Sequence, residues 1–326
     1  MRIIVDGMGG DNAPVEIVKG CVNASNNLGV NILLVGDSSK IEEELAKYEY
    51  TKGKIEILHS SDVITNHDDP TLAIRRKKDS SMVMAFNALK EGKGHGMLSA
   101  GNTGALLAGG LFIIKRIQGI DRAAIGTVYP TNKEMAILID AGANVDSKPE
   151  YLRQFGIMGS IYMEHILGRD NPKVGLVSNG VEEGKGNKLV KETHSLLKEA
   201  PINFIGNVEA RELPGGNIDV IVSDGFVGNV IIKLTEGVAS FLMEELKQAF
   251  SKNLKTKMGA VLLKDELKNL KGKMDYRQYG GAPLLGIQKE VVKAHGSSDA
   301  FAIENAIKQL MDYIDRDVIK TIGEKI

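Results

Sequence analysis

Short apolar runs rich in valine and isoleucine recur along the 326-residue chain, and stretches with helical spacing of apolar residues separate them. Several runs are continuous rather than alternating, which is typical of strands covered by helices on both faces. Strands that alternate with helices predict a three-layer α/β fold with a mostly parallel sheet. The nine predicted strands lie at 2–5, 31–35, 54–58, 96–99, 124–128, 135–139, 173–177, 202–205 and 219–222.

Glycine together with aspartate, asparagine or serine follows five of these strands. In open α/β sheets the ligand binds beyond the carboxyl ends of the strands, so we expect these five turns to share one edge of the sheet and to form a crevice. The segments are 6–14, 99–104, 140–146, 178–187 and 223–229. We find no linker or internal repeat and interpret residues 1–326 as one compact unit, with a division into two lobes left open.

The turn at 99–104 carries the clearest chemical signal. Gly101 and Gly104 relax the backbone, and Ser99, Asn102 and Thr103 bring short polar side chains to a predicted helix start. Backbone N–H groups at such a turn favour an anion without any positive side chain. The turn therefore predicts a site for a phosphate-sized anion, with an ordinary strand-to-helix turn as the alternative.

Composition narrows the class of protein. The net charge of −1 and the aromatic content of 5%, with no tryptophan, argue against a nucleic-acid partner. The single cysteine, Cys21, excludes an internal disulfide and a multi-cysteine metal site, which suits a reducing cytoplasm. A core strand is predicted from the second residue onward, and no segment has eighteen uncharged apolar residues, so we expect neither a signal peptide nor a membrane span.

The segment 234–274 departs from the strand–helix alternation and predicts a helical protrusion. Its first part has the apolar spacing of an amphipathic helix, and an apolar tip follows between lysines. Residues 244–273 contain eight lysines against four acidic residues. Such a tip suits an anionic lipid surface or an acidic partner, and packing on the body or on another subunit is the alternative. The tip residues that we expect to make this contact are Lys257, Met258, Leu262 and Leu263.

Other familiar catalytic patterns are absent. The glycines at 7–10 lack the third position of the dinucleotide fingerprint, because Asn12 stands there, and no zinc-hydrolase or serine-esterase motif occurs. Lys185 lies between two glycines as a flexible cation, and His295 lies in a polar loop where it could carry a proton. The cations Arg75, Arg76 and Lys77 form either a solvated helix end or a site for phosphate or an acidic protein.

Taken together, these segments resemble the bacterial acyl-acyl-carrier-protein:phosphate acyltransferases of phospholipid synthesis. The resemblance covers nearly the whole chain in order and shows no departure among its blocks. Those blocks are 5–14, 99–105, 140–144, 178–186, 223–229, 279–286 and 295–298.

The resemblance implies transfer of a long-chain acyl group from the carrier-protein thioester to inorganic phosphate, with no cofactor or metal. It implies a fold similar to isocitrate-dehydrogenase-type and phosphotransacetylase enzymes, and a homodimer. It also implies a cytoplasmic enzyme that acts next to the membrane, where a glycerol-3-phosphate acyltransferase consumes the product. Phosphate is itself a nucleophile, so the protein has to position it and stabilise an oxyanion. We expect phosphate or substrate contacts from Asp6, Ser99, Gly101, Asn102, Thr103, Gly104, Asn179 and Asp224, and catalytic roles for Lys185, Asn229 and His295.

Two alternatives stay open at this point. One is phosphate acetyl- or butyryltransfer from coenzyme A, and the other is a non-enzymatic scaffold that docks carrier protein or lipid. An oxidoreductase of the same fold class is weaker, because the glycine fingerprint is broken.

Overall fold

The computed structural model describes residues 1–274, 278 and 280–326, without the side chains of residues 269, 271, 273 and 274. Tyr279, which belongs to one of the resemblance blocks, therefore lies outside the described residues. The strands are β1 (Arg2–Asp6), β2 (Asn31–Gly36), β3 (Ile55–His59), β4 (Gly96–Ser99), β5 (Ala124–Tyr129), β6 (Ala136–Ile139), β7 (Lys173–Ser178), β8 (Asn203–Glu209), β9 (Val220–Val222), β10 (Ala282–Leu285) and β11 (Glu290–Lys293). All nine predicted strands are present, and β10 and β11 were not predicted.

Twelve α-helices are present among the described residues. They are α1 (Val15–Leu28), α2 (Ser38–Leu45), α3 (Pro70–Arg76), α4 (Ser81–Lys90), α5 (Thr103–Gly109), α6 (Pro149–Leu167), α7 (Lys188–Glu199), α8 (Gly225–Ser251), α9 (Leu254–Leu262), α10 (Lys264–Met274), α11 (Ala300–Asp315) and α12 (Val318–Lys325). A π-helical turn, Gly110–Ile114, extends α5, and a 3₁₀ helix, Ala210–Gly215, follows β8.

The strands form one sheet in the order β3-β2-β1-β4-β11-β10-β5-β6-β9-β7-β8. Most neighbouring pairs are parallel, but β10 is antiparallel to both β11 and β5, and β5 is antiparallel to β6. Three reversals turn the second half of the sheet, β6-β9-β7-β8, against the first half. The expectation that all five polar turns share one edge is therefore wrong: β1 and β4 end at one edge, whereas β6, β7 and β9 end at the opposite edge.

Alternate residues of each strand pack into different core clusters, as the twofold side-chain period of a strand requires. On one face a single large cluster runs beneath both halves of the sheet and includes Phe155, Tyr162 and Tyr313. The other face carries two separate clusters, one around Phe86 and one around Leu213. The space between these two clusters lies over the central strand β5.

The predicted helical protrusion is present as α8, α9 and α10. Gly225, Gly228 and Ile231 in the first two turns of α8 are buried, whereas the rest of this 27-residue helix extends away from the sheet. Among the described residues, one helix is long and apolar enough to cross a membrane, and that helix is α8. Because its first turns pack in the protein core, we treat it as part of the folded unit.

Candidate functional site

A cavity of about 430 Å³ lies over β5, between the start of α5 and the first turns of α8. It lies between the core cluster around Phe86 and the core cluster around Leu213, on the same face of the sheet. Polypeptide from both halves of the sheet therefore meets here, although the strand ends lie at opposite edges. The residues that line it are Thr103, Ile125, Thr127, Val128, Ala141, Gly142, Asn229, Ile232, Lys233, Glu236, Gly280, Gly281, Ala282, Lys293, Ala294, His295 and Gly296.

Buried hydrogen bonds support the turn at one side of the cavity. Ser99 and Asp6 are 0% and 1% exposed, and Ser99 Oγ donates to Asp6 Oδ2 at 2.7 Å. The backbone N–H of Gly101 in turn donates to Ser99 Oγ at 3.0 Å. Burial raises the pKa of Asp6, and hydrogen bonds from Ser81, Ser99 and nearby backbone N–H groups oppose that rise. Ser99 and Asp6 therefore hold the turn in place from beneath.

Close contact between the first and fourth strand ends explains one glycine of the opening motif. A Cβ on Gly9 would lie 2.6 Å from Asp6 Oδ2 and 2.7 Å from the backbone nitrogen of Gly101. Both distances are shorter than real Cβ contacts, and one of the atoms belongs to the backbone. Glycine is therefore needed at this position so that the two turns can touch.

The side chain of Asn102 is committed to the fold of the predicted anion turn. Its Oδ1 accepts from the N–H of Ala105 at 2.9 Å and caps α5, and its Nδ2 donates to the carbonyl of Thr65 at 3.1 Å. Thr103, by contrast, is exposed and lines the cavity. Within this turn the hydroxyl of Thr103 is thus the side-chain group placed to meet a ligand, while Gly104 packs beside Pro70 of α3.

A second buried carboxylate shapes the opposite wall. Asp140 is 0% exposed and accepts hydrogen bonds from the N–H groups of Ile125, Gly142 and Ala143 through Oδ1. Its Oδ2 accepts from the backbone and the side chain of Asn144 at 2.6 and 2.9 Å. This network fixes the loop after β6, so that Ala141 and Gly142 line the cavity.

Asn229 lies in the second turn of α8 and is exposed to the cavity. A Cβ on Gly142 would lie 3.7 Å from the Cβ of Asn229, which places the asparagine directly over the loop after β6. Asp224 directly precedes the helix, and its Oδ1 accepts from the N–H of Val227 at 2.9 Å. Asp224 therefore acts as the cap that fixes the direction of α8, and Asn229 lines the cavity.

Lys293 is the functional candidate that sequence reasoning missed. It ends β11, a strand that was not predicted, and its side chain lines the cavity. Its Nζ donates to the carbonyl of Ala100 at 3.1 Å and also to the carbonyl of Ala294. Burial lowers the pKa of Lys293 to about 8, although Asp6 and Asp11 oppose that shift. The available signal was a lysine directly after two valines and two residues before His295.

The loop after β11 brings His295 to the same cavity. His295 is exposed, and its Nδ1 lies 2.8 Å from Ser297 Oγ. The loop is joined to the turn after β1, since Asp11 donates its N–H to the carbonyl of Gly296 at 2.8 Å and Asn12 Nδ2 donates to the carbonyl of Ser297 at 3.2 Å. His295, Lys293, Thr103 and Asn229 are thus brought together.

Lys185 and Asn179 lie apart from this group. Both are exposed in the loop between β7 and α7, where Asn179 Oδ1 accepts from the N–H of Gly186 at 2.9 Å. Neither residue lines the cavity. Strand β7 runs opposite to β4, which separates its carboxyl end from the turn at 99–104. The predicted roles of Lys185 and Asn179 in phosphate binding stay predictions.

The basic cluster lies on α3, which packs against α5. Arg75 and Arg76 are exposed, and the guanidinium of Arg75 lies 5.1 Å from the ring centroid of Phe112, itself 49% exposed. Lys77 differs, because its Nζ bonds to Asp68 Oδ2 at 3.0 Å and to the carbonyl of Val63. The backbone N–H of Thr65, which donates to Asp68, and this contact with Lys77 lower the pKa of Asp68 to about 2. Lys77 therefore supports local structure, and the two arginines remain available to a partner.

The apolar tip is strongly exposed. No residue of α9 is buried, and Met258, Val261 and Leu262 are 63%, 73% and 85% exposed. Leu263 at the end of α9 is 47% exposed, and Lys257 is exposed beside Met258. Contiguous exposed apolar groups of this kind are a common feature of interaction surfaces.

Solved structures with a similar fold define the class of this protein. A phosphotransacetylase from Streptococcus pyogenes superposes with a TM-score of 0.62 at 15% identity, covering 97% of this chain and 94% of that one. A branched-chain phosphotransacylase from Enterococcus faecalis gives a TM-score of 0.60 at 14% identity, covering 97% and 99%. The fold is that of the phosphotransacetylase-like α/β proteins, as the resemblance implied.

Sequence relatives define the family. A family model described as "Fatty acid synthesis protein" matches residues 1–321. A phosphate acyltransferase of Alkaliphilus oremlandii is 55% identical over 326 residues, covering 100% of this chain and 97% of the relative. A phosphate acyltransferase of Clostridioides difficile is 50% identical over 327 residues, covering 100% and 96%. The chain belongs to the phosphate acyltransferase family and is a transferase, which confirms the resemblance noted in the sequence.

Proposed function

We propose that this protein transfers a long-chain fatty acyl group from acyl-carrier-protein thioester to inorganic phosphate and releases acyl phosphate for phospholipid synthesis. The observation that carries the proposal is the cavity that Thr103 of α5, Asn229 of α8, Lys293 of β11 and His295 of the loop after β11 line together. The lining supplies hydrogen-bond donors and a cation, which are the groups that an attacking phosphate and a developing oxyanion need.

The proposed reaction is a direct attack of bound phosphate on the thioester carbonyl. Thr103 donates its hydroxyl to a phosphate oxygen, and Asn229, which faces it from α8, donates Nδ2 to the carbonyl oxygen as negative charge develops there. His295 lines the same cavity and supplies a further N–H. Holding both reactants in one cavity removes much of the entropic barrier, so an activated serine or cysteine is not needed.

Substrate choice tests the proposal directly. The protein is incubated with phosphate and, separately, palmitoyl-carrier protein, palmitoyl-CoA and acetyl-CoA, and hydroxylamine traps the acyl phosphate. We expect the carrier-protein substrate to give the highest kcat/KM. Efficient turnover of acetyl-CoA alone would instead make the protein a phosphate acetyltransferase, and binding without turnover would leave the scaffold alternative.

Two variants separate the cavity from the loop after β7. Thr103→Val keeps the shape of the side chain and removes the hydroxyl, so the KM for phosphate should rise, by about tenfold for a net loss of ~1.4 kcal/mol. Lys185→Ala changes a residue that does not line the cavity in this chain. If Lys185→Ala raises the KM for phosphate more than Thr103→Val does, the phosphate site lies at the loop after β7 and not at the turn that carries Thr103.

We further propose a homodimer that forms through α8. The exposed side of this helix presents Phe226, Val230, Leu234, Val238 and Phe241, which are 61%, 48%, 64%, 48% and 62% exposed. Their spacing of three to four residues forms one apolar stripe beside the cavity-facing side. The stripe suits the matching helix of a second copy. Light scattering should give twice the 35.2 kDa chain mass, and a Leu234→Glu, Phe241→Glu variant should give one chain mass.

The exposed tip supports a peripheral contact with the cytoplasmic face of the membrane, where a glycerol-3-phosphate acyltransferase would take up the product. Leu262 and Leu263 would enter the lipid interface while nearby lysines such as Lys257 contact anionic headgroups. In a flotation assay the wild-type protein should rise with anionic vesicles, whereas a Leu262→Glu, Leu263→Glu variant should stay at the bottom of the gradient. Equal flotation of the two proteins would contradict this proposal.

The basic cluster supports docking of an acidic carrier protein. Arg75 and Arg76 are exposed on α3, which packs against the helix that begins with Thr103, so a partner bound there lies near the cavity. An Arg75→Glu, Arg76→Glu variant should raise the KM for palmitoyl-carrier protein and leave palmitoyl-CoA turnover unchanged. An equal effect on both substrates would argue against docking at α3.

A further inference from the structure

Lys293 brings an ammonium group to the cavity, beside the hydrogen-bond donors of Thr103, Asn229 and His295. Lys293 lies at the carboxyl end of β11 and is held among polar backbone groups, with its Nζ donating to the carbonyls of Ala100 and Ala294. These carbonyls belong to the residues that follow β4 and β11. The ammonium group is therefore fixed between the anion turn and the loop that carries His295.

An ammonium group has three N–H donors, and the two carbonyls take two of them. Lys293 lines the cavity. Among the contacts of the described residues, its third N–H donor is therefore left for a bound reactant. The charged and titratable groups around it are Asp6 and Asp11 from the first strand end and the turn after it, Lys233 and Glu236 from α8, and His295 from its own loop. The carboxylates of Asp6 and Asp11 favour the protonated amine, and burial opposes it.

The chemistry of the reaction calls for a proton at one specific atom. When phosphate has added to the thioester carbonyl, the C–S bond breaks and its electron pair moves to sulfur. The cysteine thiol has an ordinary pKa of about 8.5 and a simple alkyl thiol is more basic still, so the group leaves as a basic thiolate unless it receives a proton. The thiolate, and not the thiol, would attack the acyl phosphate and reverse the reaction.

We propose that Lys293 is a catalytic residue that donates this proton to the departing sulfur. The inference rests on the proposed acyl transfer to phosphate. The C–O bond to phosphate forms, the C–S bond breaks, and the Nζ proton passes to sulfur to give the free thiol and a neutral amine. The proton of the attacking hydrogen phosphate becomes more acidic once the phosphate is acylated, and it restores the ammonium group. Thioester and hydrogen phosphate thus become acyl phosphate and thiol with no net proton change.

The acidity of the group matches the task. Burial lowers the pKa of Lys293 to about 8, close to neutral pH, and a general acid is most effective when its pKa lies near the pH of the reaction. An arginine at this position would keep the positive charge but would not release a proton near neutral pH. Charge and proton donation can therefore be separated by substitution.

Leaving groups of different acidity provide the test. Wild type, Lys293→Met and Lys293→Arg are assayed with phosphate and two palmitoyl thioesters, one of pantetheine and one of 4-nitrothiophenol, whose thiolate leaves without a proton. For both variants we expect kcat to fall by about 10²- to 10⁴-fold with the pantetheine ester and by less than about tenfold with the aryl ester. Lys289→Met, at an exposed lysine in the turn before β11, serves as the control and should match wild type on both.

Each other result has a defined meaning. Equal losses of the variants on both esters, or recovery of pantetheine-ester turnover by Lys293→Arg, would overturn the proposal, because they indicate a structural or phosphate-binding role. If the variants do not fold, the wild-type enzyme still decides: across a series of thiol leaving groups kcat should depend only weakly on thiol pKa, and a steep dependence would refute proton donation. Absence of acyl phosphate formation by wild type with any thioester would refute the proposed function instead.

Discussion

Replacing Lys293 by methionine should change the way in which stability depends on pH. The amine has a pKa of about 8 in the folded protein, below the value of 10.5 for an ordinary lysine. Between these two values the unfolded chain binds more protons than the folded chain, so the stability of wild type rises with pH in this range. Below about pH 8 the amine is charged in both states, and the folded protein bears the full cost of the buried charge.

The pKa difference gives the size of this effect. One pKa unit corresponds to about 1.4 kcal/mol, so Lys293 should contribute about 2 kcal/mol of added stability to wild type between about pH 7.5 and pH 10. The methionine variant lacks this contribution. Other groups, such as Tyr162, whose pKa burial raises to about 12, titrate alike in both proteins and cancel in the difference.

Urea unfolding followed by circular dichroism, at one protein concentration and several pH values, measures the difference in unfolding free energy between wild type and Lys293→Met. We expect this difference to shift in favour of wild type by about 2 kcal/mol over the range. Parallel stability curves would refute the reasoning, because they would show that Lys293 has an ordinary pKa in the folded state.

Three further substitutions test the walls of the cavity and the tip. Gly9→Ala should lower the free energy of unfolding by about 1–3 kcal/mol in thermal or urea unfolding, because the added Cβ would press on Asp6 and Gly101. The control is Gly184→Ala, whose added Cβ has no atom within 4 Å. This control should stay within about 0.5 kcal/mol of wild type. Asn144→Ala should cost about 1–3 kcal/mol by the same assay, since a buried carboxylate loses a donor; an unchanged midpoint would contradict the role of Asn144. Leu262→Glu should leave the unfolding midpoint unchanged, because the side chain is 85% exposed, and a large shift would show that the tip packs against the body.

The apolar runs were sufficient to locate nine of the eleven strands that the described residues form. Seven of the nine contain at least three consecutive buried residues, whereas the edge strands β3 and β8 contain one and two buried residues. Strands β10 and β11 escaped detection for a physical reason. β10 contains Pro283, which weakens a strand signal, and β11 has only two buried apolar residues, Val291 and Val292, between charged ones. Their pairing depends on partners far away in sequence: β11 lies beside β4, almost two hundred residues earlier. Short strands of this kind are stabilised by the sheet that receives them and not by local preference.

The sequence pattern did not reveal that the second half of the sheet runs opposite to the first, although the β5–β6 connection contained part of the signal. Only residues 130–135 join β5 to β6, whereas a parallel crossover needs a dozen residues or more, so this pair had to be antiparallel. The second signal, β10, was missing because that strand was not predicted. Without the reversal, Lys185 and Asn179 were expected beside the turn at 99–104, although their loop follows β7 at the opposite edge.

The reversed sheet also explains why the residues that line the cavity do not all stand at strand ends. Thr103 follows a strand of the first half, Asn229 lies in the second turn of a helix of the second half, and Lys293 ends a strand between them. The polar residues nearest the strand ends, Asp6 and Asp140, are buried and direct their carboxylates to the backbone and side chains of the turns. Because a short polar residue beside glycine can either hold a turn or meet a ligand, the sequence pattern identified the walls of the site but not which side chains face the cavity. That choice depends on how the two halves pack across β5, and it is what brings a buried lysine to a place where a departing thiolate can take its proton.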